Sequence, residues 1–452
     1  MAGNGNVGST GNGGQATLAT LNRPVDVAVD AAGNLYIAEG GGIRKVTPAG
    51  VISSLIPPPT LSPVYSITSI AVSPSGEVYF AQIGIISKID SNGIISTVVG
   101  GGGNVPTPAG IPIGTASIFS PTCIRLDSNN NLYITDIYVG VYKVQGEFIY
   151  KVAILNEQMF LAIDANNDVF IGDVVNIYKL TASTGNLQAI LGGVTGPIAI
   201  NPINGKLYVG DIEPLGYQTN PNPQYPYPSY PNIKKMDSNG NNISIVAGDG
   251  NRGFGGDGGL ATLANMAGFG GIAITSCGMY FTDTYNERVR FVSFPQITFT
   301  NTNTTAQNGS AGTPYTLNAS ATGTATLTYT VSPSLPAGLS INQNTGVISG
   351  TSTTTVPLAT YTVTATQGGT CASSLSQDYT FAILCAPLSF TNTIAVNGTI
   401  GISYTLNASA TSADTTTPIS YSVNPSLPAG LSVNATTGVI SEIGRASCRE
   451  RV

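Results

Sequence analysis

The sequence predicts an all-β chain: a six-bladed β-propeller followed by two β-sandwich modules, one complete and one truncated. Three observations carry this prediction. Short runs of alternating apolar and polar residues, the period of a half-buried strand, recur six times over the first two-thirds of the chain. Charged residues make up only 9% of the 452 residues, while glycine alone accounts for 55; that balance suits many short strands joined by tight turns. After Pro295 the composition changes abruptly, and a different repeat begins.

The first strand of each blade is read from DVAVD (26–30), SIAVS (69–73), CIRLD (123–127), LAID (161–164), IAIN (198–201) and IAIT (272–275). A polar or glycine-containing turn follows each, and then a second strand: NLYIAE, EVYFAQ, NLYITD, DVFIGD, KLYVGD and GMYFTD. An aromatic holds the same place in every copy, at Tyr36, Tyr79, Tyr133, Phe170, Tyr208 and Tyr280. Third strands are IRKV, ISKI, VYKV, IYKL, IKKM and VRFV, and most copies add a fourth, such as VISSLI or IISTVV. Four antiparallel strands repeated six times is the pattern of propeller blades, in which radial repetition buries sheet faces and leaves few open edges.

Composition excludes several function classes. The formal net charge is -6 with no basic cluster, which argues against a nucleic-acid partner. No window of 18 or more apolar residues is present, so no membrane span is expected in this fragment, and no signal peptide is visible at Met1. There are no histidines, which removes the commonest general base and the commonest zinc ligand together. The five cysteines form no CxxC pair. Cys371 and Cys385 flank one strand-like run, and a disulfide between them is one reading, two reduced thiols the other.

The stretch AGDGNRGFGGDGGLATLA (247–264) and its near copy AGNGNVGSTGNGGQATLA (2–19) each precede a blade's first strand. With the six blade copies, these Gly-rich segments resemble the NHL-repeat family of six-bladed propellers, over roughly residues 2–293. The resemblance implies a scaffold that displays loops for proteins, nucleic acid or ligands, and less often a metal-dependent enzyme. Aligned on its copy, Met1 falls where Val246 sits, at the end of an outer strand. The expectation is therefore a truncated N-terminus, with the chain starting inside a repeat and its missing strand in fourth place in the sixth blade; the alternative is a last blade of three strands.

From Gln296 to Ser441 there is no Lys or Arg, and the only acids are Asp378 and Asp414. YTVSPSLPAGLSINQNTGVISG (329–350) matches YSVNPSLPAGLSVNATTGVISE (421–442), and Tyr329 and Tyr421 lie 92 positions apart, the size of one immunoglobulin-like sandwich. The run LPAGLSINxxTGVISG resembles the immunoglobulin-like or cadherin-like modules found in tandem on bacterial surface proteins. Some relatives bind calcium through acidic clusters between domains, for which this region offers only its two acids. The expected domains are a propeller at 1–293, an immunoglobulin-like module at 294–386, a partial second one at 387–441, and a non-native tail at 442–452. Three of the 17 basic residues crowd into the last eight positions of that tail.

Candidate sites are few. The second strands end at Glu39, Gln82, Asp136, Asp173, Asp211 and Asp283, so five of the six copies place a carboxylate at one repeat position. Such a ring could hold a cation or supply an acid pair, but a residue repeated in every blade is better explained by blade construction, as a turn acceptor for backbone N–H groups. Lys45, Lys88, Lys143, Lys179 and Lys235 form a second row, with Phe291 in the sixth copy; their stems are expected to cover a half-exposed strand. Asp249 and Asp257 sit among glycines in a way that resembles Gly/Asp calcium-binding repeats, yet the first copy has Asn4 and Asn12 instead, which favours a turn-rich connection. An insertion at 212–232 is rich in proline and tyrosine and is expected to form a loop; Tyr217, Tyr225, Tyr227 and Tyr230 are its candidate contact residues. No nucleotide loop or nucleophile elbow is present.

The functional expectation is a non-catalytic, extracellular or cell-surface binding or adhesion protein of bacterial type. Its propeller would bind a protein or glycan, its sandwiches would act as spacers, and it would need no cofactor. The alternatives are a metal-dependent propeller enzyme of lactonase or lyase type, and a calcium-binding structural adhesin segment.

Overall fold

A computed structural model describes the chain except residues 57–65, 156–158, 174–175, 193–195, 212–230, 295, 303–304, 324, 370, 393–396, 400–401, 414–417 and 443–452. It divides into two units, Met1–Phe294 and Pro295–Val452.

In the first unit each sequence repeat folds as one antiparallel sheet. Blade 1 is β1 (Asp26–Val29), β2 (Leu35–Glu39), β3 (Gly42–Val46) and β4 (Ile52–Ile56). Blade 2 is β5 (Ser69–Val72), β6 (Val78–Gln82), β7 (Ile85–Ile89) and β8 (Ile95–Gly100). Blade 3 carries an extra edge strand, β9 (Ile111–Pro112), outside β10 (Pro121–Leu126), β11 (Leu132–Asp136), β12 (Gly140–Gln145) and β13 (Phe148–Ala153). Blade 4 is β14 (Phe160–Ile163), β15 (Val169–Gly172), β16 (Asn176–Leu180) and β17 (Leu187–Gly192). Blade 5 is β18 (Ile198–Ile200), β19 (Leu207–Asp211), β20 (Asn232–Met236) and β21 (Ser244–Ala247), and blade 6 has three strands, β22 (Ile272–Ile274), β23 (Gly278–Asp283) and β24 (Arg288–Ser293).

First strands lie side by side all the way round, β1 against β5, β5 against β10, β10 against β14, β14 against β18, β18 against β22, and β22 against β1. This closes the ring. Six apolar clusters fill the six spaces between neighbouring blades. Between blades 1 and 2, for example, Tyr36 and Ile43 pack with Ile70 and Phe80. Each fully buried side chain of this kind contributes about 1.5–3 kcal/mol, and the alternation along every strand supplies both neighbours at once. A β-bulge recurs between the third and fourth strands of blades 1 to 5, after Ile43, Ile86, Val141, Ile177 and Ile233. It adds twist to each outer edge. In blade 6 the start of the chain takes the bulged strand's place: Ala2 and Val289 exchange two backbone hydrogen bonds, of 3.0 and 2.9 Å.

Turns are closed by side chains. The residue ending each first strand accepts backbone N–H bonds from its own turn: Asp30 from Asn34, Ser73 from Glu77, Asp127 from Asn129 and Asn131, Asp164 from Asn166 and Asp168, Asn201 from Ile203, and Thr275 from Cys277. Burial pushes the Asp30 carboxyl up, but hydrogen bonds from Asn34 and Tyr36 outweigh it and hold the group below its ordinary value of 3.8.

In the second unit the first module pairs β25 (Ile297–Phe299) with β28 (Ala321–Gly323). Its four-stranded sheet runs β26 (Gly309–Ser310), β33 (Ser373–Leu384), β32 (Val356–Gln367), β29 (Leu327–Ser332), and its three-stranded sheet runs β27 (Pro314–Asn318), β31 (Val347–Thr351), β30 (Leu339–Ile341). The core between them includes Phe299, Leu317, Tyr329, Ile348, Tyr361, Tyr379 and Phe381. The second module repeats only part of this: β34 (Ser389–Phe390) with β36 (Ala410–Thr411), and β35 (Thr405–Asn407), β38 (Val439–Glu442), β37 (Leu431–Val433) in the same order as β27, β31, β30.

One sequence expectation is corrected here. Cys385 is a free, exposed thiol, and Cys371 is engaged in a disulfide, so the pair Cys371–Cys385 is not formed. The two residues flank the 12-residue strand β33. At about 3.3 Å per residue an extended strand of that length holds its ends roughly 40 Å apart, far beyond the reach of an S–S bond.

Candidate functional site

The repeated carboxylates of the second strands are spent within their own blades. Glu39 is buried; it accepts the Asn22 N–H at 2.9 Å and pairs with Arg44 at 3.4 Å. Asp136, also buried, accepts three backbone N–H groups, from Phe119 at 2.7 Å, Ser120 at 3.3 Å and Tyr138 at 3.2 Å. Asp173 accepts the Asn176 N–H, and Asp211 pairs with Lys234 at 2.6 Å. Asp283 accepts the Ala267 N–H at 2.7 Å and the Asn286 amide at 2.9 Å, and faces Arg290 at 3.2 Å. The recurring geometry is a clamp: in blades 1, 3 and 6 the acid fastens the segment that leads into the blade's first strand. Burial pushes the Glu39 and Asp283 carboxyls up, against the hydrogen bonds and arginines that draw them down. Among the described residues, no group of three Cys, Asp or Glu side chains is placed to hold a metal ion.

The two Gly-rich segments are cradles for a guanidinium. Arg44 donates to the Thr10 carbonyl and the Asn12 side chain, each at 3.0 Å, and to the Thr20 carbonyl at 3.3 Å. Arg290 makes the equivalent set with the Gly255 carbonyl at 2.9 Å, the Asp257 carboxylate at 2.7 Å and the Asn265 carbonyl at 2.6 Å. Asp257 therefore faces an internal cation. Asp249 is occupied by Asn251 and by Asn265, both at 2.9 Å through their side chains. The glycines allow this close wrapping: at Gly256, where φ is +82°, any side chain would collide with the Ala264 backbone.

The inner ring holds a further ion pair, built on the buried Asp26, which the sequence reading did not single out. Arg125 on β10 bonds Asp26 on β1 at 2.9 and 3.2 Å, and Asp26 also accepts from the Ser69 hydroxyl and the Ile70 N–H on β5, at 2.6 and 3.1 Å. Three blades are joined at one carboxylate. Gly271 of β22's lead-in closes the other side, where any side chain would collide with that carboxylate. A signal was present in the sequence: the inner-strand position opposite the second-strand aromatic reads Ala28, Ala71, Arg125, Ala162, Ala199 and Ala273, and the single departure marks the ion pair. Nearby Cys123 is buried, and burial pushes its thiol up, which suits a packing residue rather than a nucleophile.

Four of the five lysines in the row lie over the aromatic that the register sets opposite them. Lys45, Lys88, Lys143 and Lys179 lie over Tyr36, Tyr79, Tyr133 and Phe170 at 5.3, 5.9, 5.4 and 5.5 Å from the ring centre. In blade 6, where Phe291 replaces lysine, it packs on Tyr280 at 4.7 Å. Acids hold several of the ammonium groups, as Glu77 holds Lys88 at 2.7 Å and Asp168 holds Lys179 at 2.8 Å. The row is thus a set of cross-strand pairs. Tyr217, Tyr225, Tyr227 and Tyr230 lie outside the described residues. A cavity of about 270 Å³ opens beside the chain start, between Met1–Asn4 and Arg288–Arg290.

The fold is that of a six-bladed propeller joined to immunoglobulin-like sandwich modules. Residues 4–69 match the family model described as "Teneurin NHL domain", and residues 296–383 and 387–444 match "Putative Ig domain". Among solved structures, the chain is similar to a structural genomics protein of unknown function from Bacteroides thetaiotaomicron (12% identity, 63% of this chain and 72% of that one, TM-score 0.47). It is also similar to a gluconolactonase from Xanthomonas campestris (13% identity, 61% and 89%, TM-score 0.43) and to a streptogramin B lyase (12% identity, 61% and 95%, TM-score 0.40). No curated relative matches the sequence. Among the described residues no helix is long and apolar enough to cross a membrane.

Proposed function

We propose that the chain is a non-catalytic binding protein of the cell exterior, of bacterial type, in which the propeller presents loops to a protein or glycan and the sandwich modules act as spacers. One observation carries this reading: the acids that a propeller enzyme would use are each committed to backbone N–H groups or to a cation of their own blade. A carboxylate so engaged is a poor general base, because its lone pairs are already filled and reorganising them costs stability. Cys371 is engaged in a disulfide, which supports an oxidising compartment. Adhesion and cell-surface display belong to the same proposal.

The test is a turnover screen on lactones and on substrates for elimination. The expected result is no activity above background. Turnover that disappears in Asp136→Asn or Asp283→Asn, with the fold retained, would establish the lactonase- or lyase-like reading instead.

A further inference from the structure

Among the described residues other than glycine, a left-handed backbone occurs at Arg23, Asn130, Asn167, Asn242 and Glu287. Asparagine takes that conformation readily; arginine and glutamate take it at a steric cost. Arg23 (φ +47°) and Glu287 (φ +53°) are also bonded to each other: the carboxylate of the buried Glu287 accepts the Arg23 N–H. They meet where the lead-in to β1 crosses the β23–β24 turn, on the side of the propeller where the second strands end. The Thr284 hydroxyl ties the same two segments, donating to the Pro24 carbonyl at 2.8 Å. The fold does not demand an arginine here. Continued past residues 19 and 264, the register of the two Gly-rich copies sets Arg23 against Gly268. The hydrogen bonds agree, since the Asn22 N–H reaches Glu39 as the Ala267 N–H reaches Asp283. Gly268 has φ +79°, so blade 6 meets the same backbone requirement with the residue that carries no steric penalty. Blade 1 keeps an arginine instead, and strained residues of this kind gather at functional sites.

The Arg23 side chain is exposed. Its guanidinium lies over the Tyr285 ring, 5.8 Å from the centre. Among the described residues it has no hydrogen bond or ion pair, whereas the guanidinium groups of Arg44, Arg125, Arg288 and Arg290 all donate. Tyr285 is 53% exposed, and its ring is set against Gly268, where any side chain would collide with it. The backbone donors beside the pair are filled. The Thr284, Tyr285 and Glu287 N–H groups donate to the Gly268, Ala267 and Thr284 carbonyls, and the Val25 N–H to the Ala38 carbonyl. The spot therefore offers a ligand an unfilled guanidinium and an aromatic ring, and no strand edge.

We propose that Arg23 and Tyr285 form a contact site for an acidic polysaccharide, the guanidinium taking the carboxylate of a uronic acid unit and the ring taking the apolar face of a sugar. This rests on the reading of the propeller as a binding scaffold and names the class of its ligand. The planar fork of a guanidinium matches a carboxylate in a bidentate pair. An extended peptide, by contrast, is recognised through main-chain hydrogen bonds, and the filled donors around the pair supply none. The Arg23 backbone is held by Glu287 and the neighbouring turn by Thr284 before any ligand arrives, which lowers the ordering cost of binding.

The test measures binding of the full chain to immobilised polygalacturonate, to its methyl ester and to polyglutamate. The ester keeps the sugar ring and loses the charge; the polypeptide keeps the charge and has no sugar. The unaltered chain is expected to bind polygalacturonate, and to bind the other two about tenfold or more weakly. Arg23→Gly and Tyr285→Ala should each weaken binding by about tenfold, and Arg23→Lys should recover only part of the loss. Urea unfolding separates this from misfolding: Arg23→Gly should unfold at a midpoint no lower than that of the unaltered chain, because glycine relieves the backbone. Failure of the unaltered chain to bind polygalacturonate, equal binding of the ester, or binding that Arg23→Gly leaves unchanged would overturn the proposal. None of these touches the non-catalytic reading, which the turnover screen tests. Arg23-dependent binding that is as tight to polyglutamate would also overturn it, with an acidic peptide as the occupant. Cleavage of polygalacturonate that Arg23→Gly abolishes would uphold the contact and overturn the non-catalytic reading.

Discussion

At the scale of single residues, charge is handled one group at a time. Arg44 and Arg290 each sit inside a Gly-rich cradle and each face a buried acid. Removing a buried pair's cation strands its anion, which typically costs about 3–5 kcal/mol. Arg290→Ala is therefore expected to lower the stability of the propeller by that order in urea unfolding. Pairing it with Asp283→Asn should recover part of the loss. Turn acids have a separate signature. The folded Asp30 carboxyl lies below its ordinary value of 3.8, so its stabilisation is fully present above that value and disappears as pH falls through the folded value. Asp30→Asn should accordingly flatten the acid limb of the stability profile below about pH 4. Glu39 and Asp283 are shifted the other way, so their contribution weakens as pH rises through the window above their ordinary values.

At the scale of strands, the blade is held by cross-strand pairs that only the register reveals. Lys143 opposite Tyr133 is one such pair, and Lys143→Ala should cost about 0.5–1 kcal/mol in chemical denaturation. Much of this level was legible in the sequence. The aromatic of every second strand, the lysine of five of the six third strands and the polar turn acceptor after each first strand repeat visibly, because a blade's local geometry is the same each time. What repeats could be read as blade construction. What occurs once or twice was harder to read. The guanidinium cradles were hidden because Asn12 and Asp257, although aligned as copies, share no charge, and their common role shows only once Arg44 and Arg290 are seen against them. The Asp26–Arg125 pair joins residues 99 positions apart, and no local pattern reports such a distance. The suggested Cys371–Cys385 bridge went wrong for a geometric reason: residues at the two ends of a long strand are close in sequence and far apart in space.

At the scale of the whole molecule, closure of the ring depends on its inner strands. Asp26 is the point where blades 1, 2 and 3 meet. Arg125→Ala is expected to destabilise Met1–Phe294 as a unit by about 3–5 kcal/mol, without moving the transition of the first sandwich module. Differential scanning calorimetry resolves the two. The central claim concerns the second-strand carboxylates: their hydrogen bonds and ion pairs build the blades, and we propose that they take no external ligand. Its most direct test is the thermal midpoint of the propeller with and without calcium, in the unaltered chain and in Asp136→Asn. The account predicts a midpoint that calcium does not raise in either protein, and a loss of about 1–3 kcal/mol in Asp136→Asn from weakened acceptance of three backbone N–H groups. A saturable, calcium-dependent rise in the unaltered chain that vanishes in Asp136→Asn would contradict it.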